Sequence, residues 1–129
     1  MPDPIYLSDG EWKIMNLLWG SPPRSGAELA HALAGDTGWS RATVHIMLGR
    51  LAEKGAVRAE GEGRTRRYAA AVPREQATAG ETTRFLERVY QGSLRNMVAS
   101  MAGQGALSRR EIDELRAILQ QAEQEVGDE

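Results

Sequence analysis

Apolar residues recur at helical spacing three times before Gly55 and three times after Pro73, and between those stretches the period shortens to that of strands. Trp12, Met15, Leu18 and Trp19 fall at i, i+3, i+6 and i+7, one face of an amphipathic helix that Gly20 and the Pro22-Pro23 pair must end. Leu29, Ala30 and Leu33 predict a short second helix ending near Gly35, with Asp36-Thr37-Gly38 as a turn. Val44, Met47, Leu48 and Leu51 predict a third, started by Ser40 as N-cap and stopped by Gly55. The same start signal, serine with glutamate three residues on, stands at Ser8 and Glu11, Ser25 and Glu28, and Ser108 and Glu111. In such a box each side chain accepts a hydrogen bond from the other residue's free backbone N–H. Ala56–Glu60 and Arg66–Val72 read as two short strands around a glycine-bounded tip, Gly61-Glu62-Gly63-Arg64. Helix, helix, turn, helix, hairpin is the order of a winged helix-turn-helix domain, expected over residues 1–72.

Pro73 closes that unit, and residues 73–129 carry no strand signal. Phe85, Leu86, Val89 and Tyr90 form one stripe, Leu94, Met97, Val98 and Met101 a second, and Ile112, Leu115, Ile118, Leu119 and Ala122 a third. The fold class is therefore mainly α: three helices plus a β-hairpin wing, followed by a three-helix region. Three short helices in roughly 55 residues enclose little apolar surface on their own, because small domains bury a low fraction of it. A second copy of the chain is the expected cover, which makes these stripes a dimerisation surface. Folding back on the first domain as a monomer is the alternative.

Composition narrows the chemistry. The 129 residues contain no cysteine, which excludes disulfides, thiolate metal sites and thiol nucleophiles. His31 and His45 have no partner at ligand spacing, so neither a metal nor a cofactor is expected. Serines sit at helix caps, and there is no G-x-S-x-G elbow or phosphate-cradling glycine loop, which leaves a hydrolase with nothing but unplaced serines. No apolar run approaches the ~20 residues that span a bilayer, and Met1–Gly10 has neither the basic start nor the apolar stretch of a secretory leader. A cytoplasmic protein without membrane insertion is expected. The net charge of −2 hides a distribution. Residues 1–38 carry two cations against five acids, residues 39–72 seven against three, and the remainder seven against ten. One basic segment lies between two acidic ones.

That segment contains the third helix, whose requirements match a helix that enters the major groove: an apolar side to dock it, and small, polar or basic residues opposite, near its N-terminus. With Val44, Met47, Leu48 and Leu51 inward, Arg41, Ala42, His45 and Ile46 face outward, and Thr43 and Arg50 lie at the boundary. Arg41 has the chemistry for a guanine edge, Thr43 and Ile46 for a thymine methyl, and Arg50 for a phosphate. Ser40 and the free N–H groups of the first turn add an anion site. Trp39 is either a hydrophobic anchor or a phosphate contact. Arg64 at the hairpin tip, with Arg66 beside it, is placed for the DNA backbone or minor groove. A winged-helix module that docks an acidic protein and never touches DNA is the competing reading; an exposed apolar patch in place of the cations is what it requires.

Three stretches carry a family resemblance: Leu7-Ser8-Asp9-Gly10-Glu11-Trp12-Lys13-Ile14-Met15, Gly38-Trp39-Ser40-Arg41-Ala42-Thr43-Val44-His45, and Arg50-Leu51-Ala52-Glu53-Lys54-Gly55-Ala56. With Phe85-Leu86, Tyr90-Gln91-Gly92-Ser93-Leu94, Met97-Val98 and Leu107-Ser108, they make the chain resemble the penicillinase-repressor (BlaI/MecI-like) family over nearly its whole length. The resemblance implies a homodimeric repressor whose two recognition helices read a palindromic double-stranded operator built around TACA and TGTA half-sites. It also implies that, in the penicillin-resistance branch, a membrane sensor metalloprotease relieves repression by cutting the repressor; alignment through Met97-Val98 puts the bond at Ser100-Met101. The resistance repressors carry lysine where this chain has Ala42, and threonine where it has Ile46, so a different operator preference is expected. Their scissile dipeptide is Asn-Phe.

Overall fold

The computed structural model describes residues 5–127; residues 1–4 and 128–129, the ends of the two expected segments and part of the stretch read for a leader, lie outside the described residues. Helices α1 (Asp9–Leu18), α2 (Gly26–Thr37) and α3 (Arg41–Glu53) precede an antiparallel hairpin of β1 (Val57–Glu60) and β2 (Arg67–Ala70), whose tip is a single 3-10 turn at Gly63–Thr65. Helices α4 (Arg74–Tyr90), α5 (Leu94–Gly103) and α6 (Arg109–Val126) complete the chain. All three Ser/Glu capping boxes form, and Ser40 caps α3 by accepting from the Thr43 N–H at 3.1 Å. The second helix runs on to Thr37, past the end expected near Gly35, because Gly38 at φ 69° supplies the left-handed cap that releases the chain.

Two compact units result, one ending at Arg84 and one beginning at Phe85. In the first, Ile14, Met15, Leu29, Val44, Leu48 and Leu51 are fully buried, joined by Leu18, Leu33, Val57 and Tyr68. Each such aliphatic side chain stabilises the fold by ~1.5–3 kcal/mol relative to exposure. Ile14 takes the place at the centre of the α1 stripe that spacing gave to Trp12 and Trp19. Those two rings pack on the edge of the core, 5.7 Å apart. The Trp19 indole N–H donates to the Val72 carbonyl at 2.9 Å, and the Arg74 guanidinium lies 4.7 Å over its ring. These contacts, with Ala77 fully buried, fasten the start of α4 to the first unit, so the seam between units lies within α4 and Pro73 only opens that helix.

The sheet gains one residue from an unexpected quarter. Arg24, just before α2, exchanges both backbone hydrogen bonds with Tyr68, at 3.0 and 2.7 Å, and so pins the start of α2 beside the hairpin.

In the second unit the last part of α4, from Phe85 on, with α5 and α6, buries no side chain fully. Ile118 and Leu119 are 62% and 63% exposed, and Phe85, Val89, Leu94, Val98, Met101 and Leu115 are exposed as well. Leu86, Tyr90, Met97 and Ile112 are half-buried. No described helix is long and apolar enough to cross a membrane.

Candidate nucleic-acid interface

The third helix is docked by its inner face and held at both ends. At its entry, Trp39 packs against the core and lies over Gly10, where an added Cβ would come within 3.1 Å of the ring and 2.7 Å of Met47 Cε. Glycine at position 10 is what allows α1 to approach so closely. At its exit, Lys54 Nζ donates to Glu11 Oε1 at 2.5 Å and to the Tyr6 carbonyl at 2.9 Å. The Glu11 side chain is only 4% exposed. Burial alone would push its carboxyl up, but the Lys54 ammonium, then the Ser8 N–H and hydroxyl, hold it below the ordinary carboxylate range. Glu11 Oε2 has no hydrogen-bond partner among the described residues, which makes the Lys54 contact the more necessary. Spacing identified Glu11 as a cap; its burial and its lysine partner were not visible that way.

The outer face of α3 is open. Arg41, Ala42, Thr43, His45, Ile46 and Arg50 are all exposed, and Trp39 is half-buried. Ser40 engages the Thr43 N–H, and its carbonyl the Val44 N–H, while the N–H groups of Arg41 and Ala42 have no partner among the described residues. That first turn offers unpaired donors at the positive end of a helix dipole.

A groove of about 740 Å³ runs between α3 and the wing. Arg41, Ala42 and His45 form one wall, and Arg64 and Arg66 the other, with Ser25 and Tyr68 among its remaining lining. Residues more than twenty positions apart in sequence thus share one concavity, and the Arg24–Tyr68 pairing explains why the start of α2 joins them. Thr43, Ile46 and Arg50 lie outside that groove, farther round α3.

Ion pairing sorts the cations of the basic segment. Lys54 is taken by Glu11, Arg58 bonds Glu60 at 3.1 Å, and Arg67 bonds Glu28 at 2.8 Å. Glu28 is held below the usual carboxylate range chiefly by the Ser25 N–H, then by the Ser25 hydroxyl, with Arg67 adding to them. Arg41, Arg50, Arg64 and Arg66 make no ion pair or side-chain hydrogen bond with any described residue. Unpaired guanidinium groups beside free helix-terminal N–H donors are an anion-binding surface, with fork geometry suited to phosphate and to guanine edges. Among the described residues no cluster of His, Asp or Glu is arranged to hold a metal ion.

In the second unit, Leu94, Met97, Val98, Met101, Leu115 and Ile118 line an apolar groove of about 370 Å³ between α5 and α6. Ser100 and Met101 lie inside α5, where the Ser100 hydroxyl meets the Gln104 side-chain amide at 3.3 Å.

Comparison with known proteins matches residues 7–121 to the model of the family described as "Penicillinase repressor". The penicillinase repressor of Bacillus licheniformis is 32% identical over 115 residues, covering 89% of this chain and 90% of that protein. Among solved structures, the DNA-binding domain of the repressor BlaI superposes with a TM-score of 0.51 at 29% identity, over 59% of this chain and 93% of that one. The monomeric form of Bacillus licheniformis BlaI, in complex with the blaP half-operator, does so with a TM-score of 0.50 at 29% identity and the same coverage.

Proposed function

The chain belongs to the penicillinase repressor family, and we propose that it is a DNA-binding transcriptional repressor that grips a palindromic operator as a homodimer in the cytoplasm. It is not an enzyme. The observation that carries this reading is the gathering of three unpaired arginines, Arg41, Arg64 and Arg66, about one groove between α3 and the wing, with Arg50 exposed farther round the helix. An acidic protein partner is the weaker reading, since the similar BlaI chain is seen in complex with a half-operator.

In this reading α3 enters the major groove. Arg41 and His45 face base edges, while Ser40 and the free N–H groups of the first turn take a phosphate. Arg50 reaches the backbone farther along, and the wing carries Arg64 and Arg66 to the flanking backbone or minor groove. Trp39 serves as the anchor that sets the entry angle of α3. The apolar face of α4 to α6 is covered by a second copy, which places two recognition helices on two half-sites. If a membrane sensor metalloprotease relieves repression at Ser100-Met101, α5 must first unwind there, and the cut severs the stripe that joins the two copies.

A mobility-shift titration on the promoter of its own gene, repeated over a range of salt, tests the proposal. Neutralising six phosphates gives a log–log slope of about −5 at ~0.9 per contact. Binding that ignores salt, or that fails to separate the promoter from scrambled DNA, overturns it.

A further inference from the structure

The outward ridge of the recognition helix has no charge on it. At 100° per residue, Ala42, Ile46 and Gly49 lie one above another at i, i+4 and i+7, at the middle of the exposed arc. Arg41 and His45 flank that ridge on the wing side, Thr43 and Arg50 on the other. Ala42 is small, and a Cβ built on Gly49 meets nothing within 4 Å. Only Ile46 rises from the ridge, and it is 58% exposed.

An isoleucine there does no work inside the protein. It belongs to the helix face opposite Val44, Leu48 and Leu51, and its β-branched side chain is held in one rotamer by the helix itself. Its apolar surface therefore stands preformed between two rows of polar and cationic groups. On the floor of the major groove one group matches such a surface, the 5-methyl of a pyrimidine, which thymine carries and cytosine lacks. Gly49 and Ala42 on either side leave room for the base pairs to come up to it.

Resting on the reading of α3 as the helix that enters the major groove, we infer that Ile46 is a specificity-determining residue that reads one thymine methyl in each half-site. The cations beside it place the helix, and Ile46 distinguishes T·A from C·G at that step. The effect is local: one position per half-site depends on it and the others do not.

The test removes the methyl and nothing else. In the operator defined by footprinting, each thymine is replaced in turn by deoxyuridine, and binding of wild type and Ile46→Ala is followed by fluorescence anisotropy. Alanine keeps the helix, and a thermal melt of the variant checks it. Wild type is expected to lose about 4-fold at one thymine, the worth of one buried methyl at ~0.8 kcal/mol, and about 15-fold when both half-sites are changed. Ile46→Ala is expected to bind the thymine and uracil operators equally. A uracil penalty that persists undiminished in Ile46→Ala, or no sensitive thymine at all in an operator that wild type still selects over scrambled DNA, overturns the assignment of Ile46 alone. Failure of wild type to select the operator overturns the DNA-binding reading itself.

Discussion

The two units are built from similar helices and close in opposite ways. In the first, Ile14, Met15, Leu29, Val44, Leu48 and Leu51 vanish from solvent within one chain, and a wing and a tryptophan edge seal the margin. In the second, α6 has a clean apolar stripe, yet Leu115, Ile118 and Leu119 remain open, and no residue of α5 or α6 is fully buried. Amphipathicity alone does not make a core; a helix face needs an opposing face at about 8–10 Å between axes. The first unit folds to present α3, and the second leaves its apolar faces open, as the proposed interface requires.

The largest expected effect breaks that half-interface. Leu115→Asp with Ile118→Asp places two carboxylates where the proposed dimer excludes water, at several kcal/mol each, so the dimer is expected to weaken by more than ~1000-fold. Sedimentation should then report monomers, operator affinity should fall with it, and the melting of the first unit should stay as it was. Dimers that survive the double substitution dismiss the interface.

Next comes the contrast between a closed and an open leucine. Leu48→Ala empties a fully buried site and is expected to cost ~2–5 kcal/mol in denaturant unfolding at any protein concentration. Leu119→Ala, at 63% exposure, should cost under ~0.5 kcal/mol in dilute monomer and more only as concentration drives assembly. A cost for Leu119→Ala that stays equally small at all concentrations removes Leu119 from the proposed interface.

A third comparison divides the groove. Arg41→Ala on the helix wall should remove ~1–3 kcal/mol and relax base preference at one position. Arg64→Ala on the wing wall should weaken all sequences alike and lower the salt slope by about one. Uniform loss in both variants removes the distinction between a reading wall and a clamping wall.

The legible part of the molecule is the part written locally. Serine caps and a glutamate three residues on are visible in any window, and all three boxes formed where the spacing put them. The inward set of α3 followed from period, with Val44, Leu48 and Leu51 buried and Met47 half-buried. Ile14 escaped because the stripe was drawn through the tryptophans; large rings fill the margin of a core whose centre takes a compact aliphatic. The Arg24–Tyr68 pairing involves one residue on its strand and so has no period to find. The ion-pair partners of the basic segment escaped for a related reason. Which cations stay free depends on acids far off in sequence: Glu28 occupies Arg67 from 39 positions away and Glu11 occupies Lys54 from 43, and charge counting treats them all alike. The open face of the second unit was foreseeable from area, since apolar stripes outran what a short segment can enclose.

The smallest effect sets one motif against itself. Ser8–Glu11 and Ser108–Glu111 are the same capping box, and both glutamates are held below the ordinary carboxylate range. The causes differ. For Glu111 the Ser108 N–H and then its hydroxyl do it in open solvent, whereas Glu11 is buried, which works against its charge, and depends on Lys54 to keep it. A carboxyl whose folded pKa is depressed stabilises the fold above its unfolded pKa and loses that contribution as pH falls through the folded value. Glu11 should therefore support the first unit at neutral pH and withdraw that support in acid, below the usual carboxylate range. Glu11→Gln is expected to cost about 1 kcal/mol at pH 7, limited by the solvent screening of Lys54 at 39% exposure, and to flatten the acid limb of the stability profile. Glu111→Gln should leave the melting of the first unit unchanged at every pH. An acid limb that keeps its slope in Glu11→Gln shows that the Lys54 clamp does not set the acid response of the recognition unit, and that other carboxylates of that unit do.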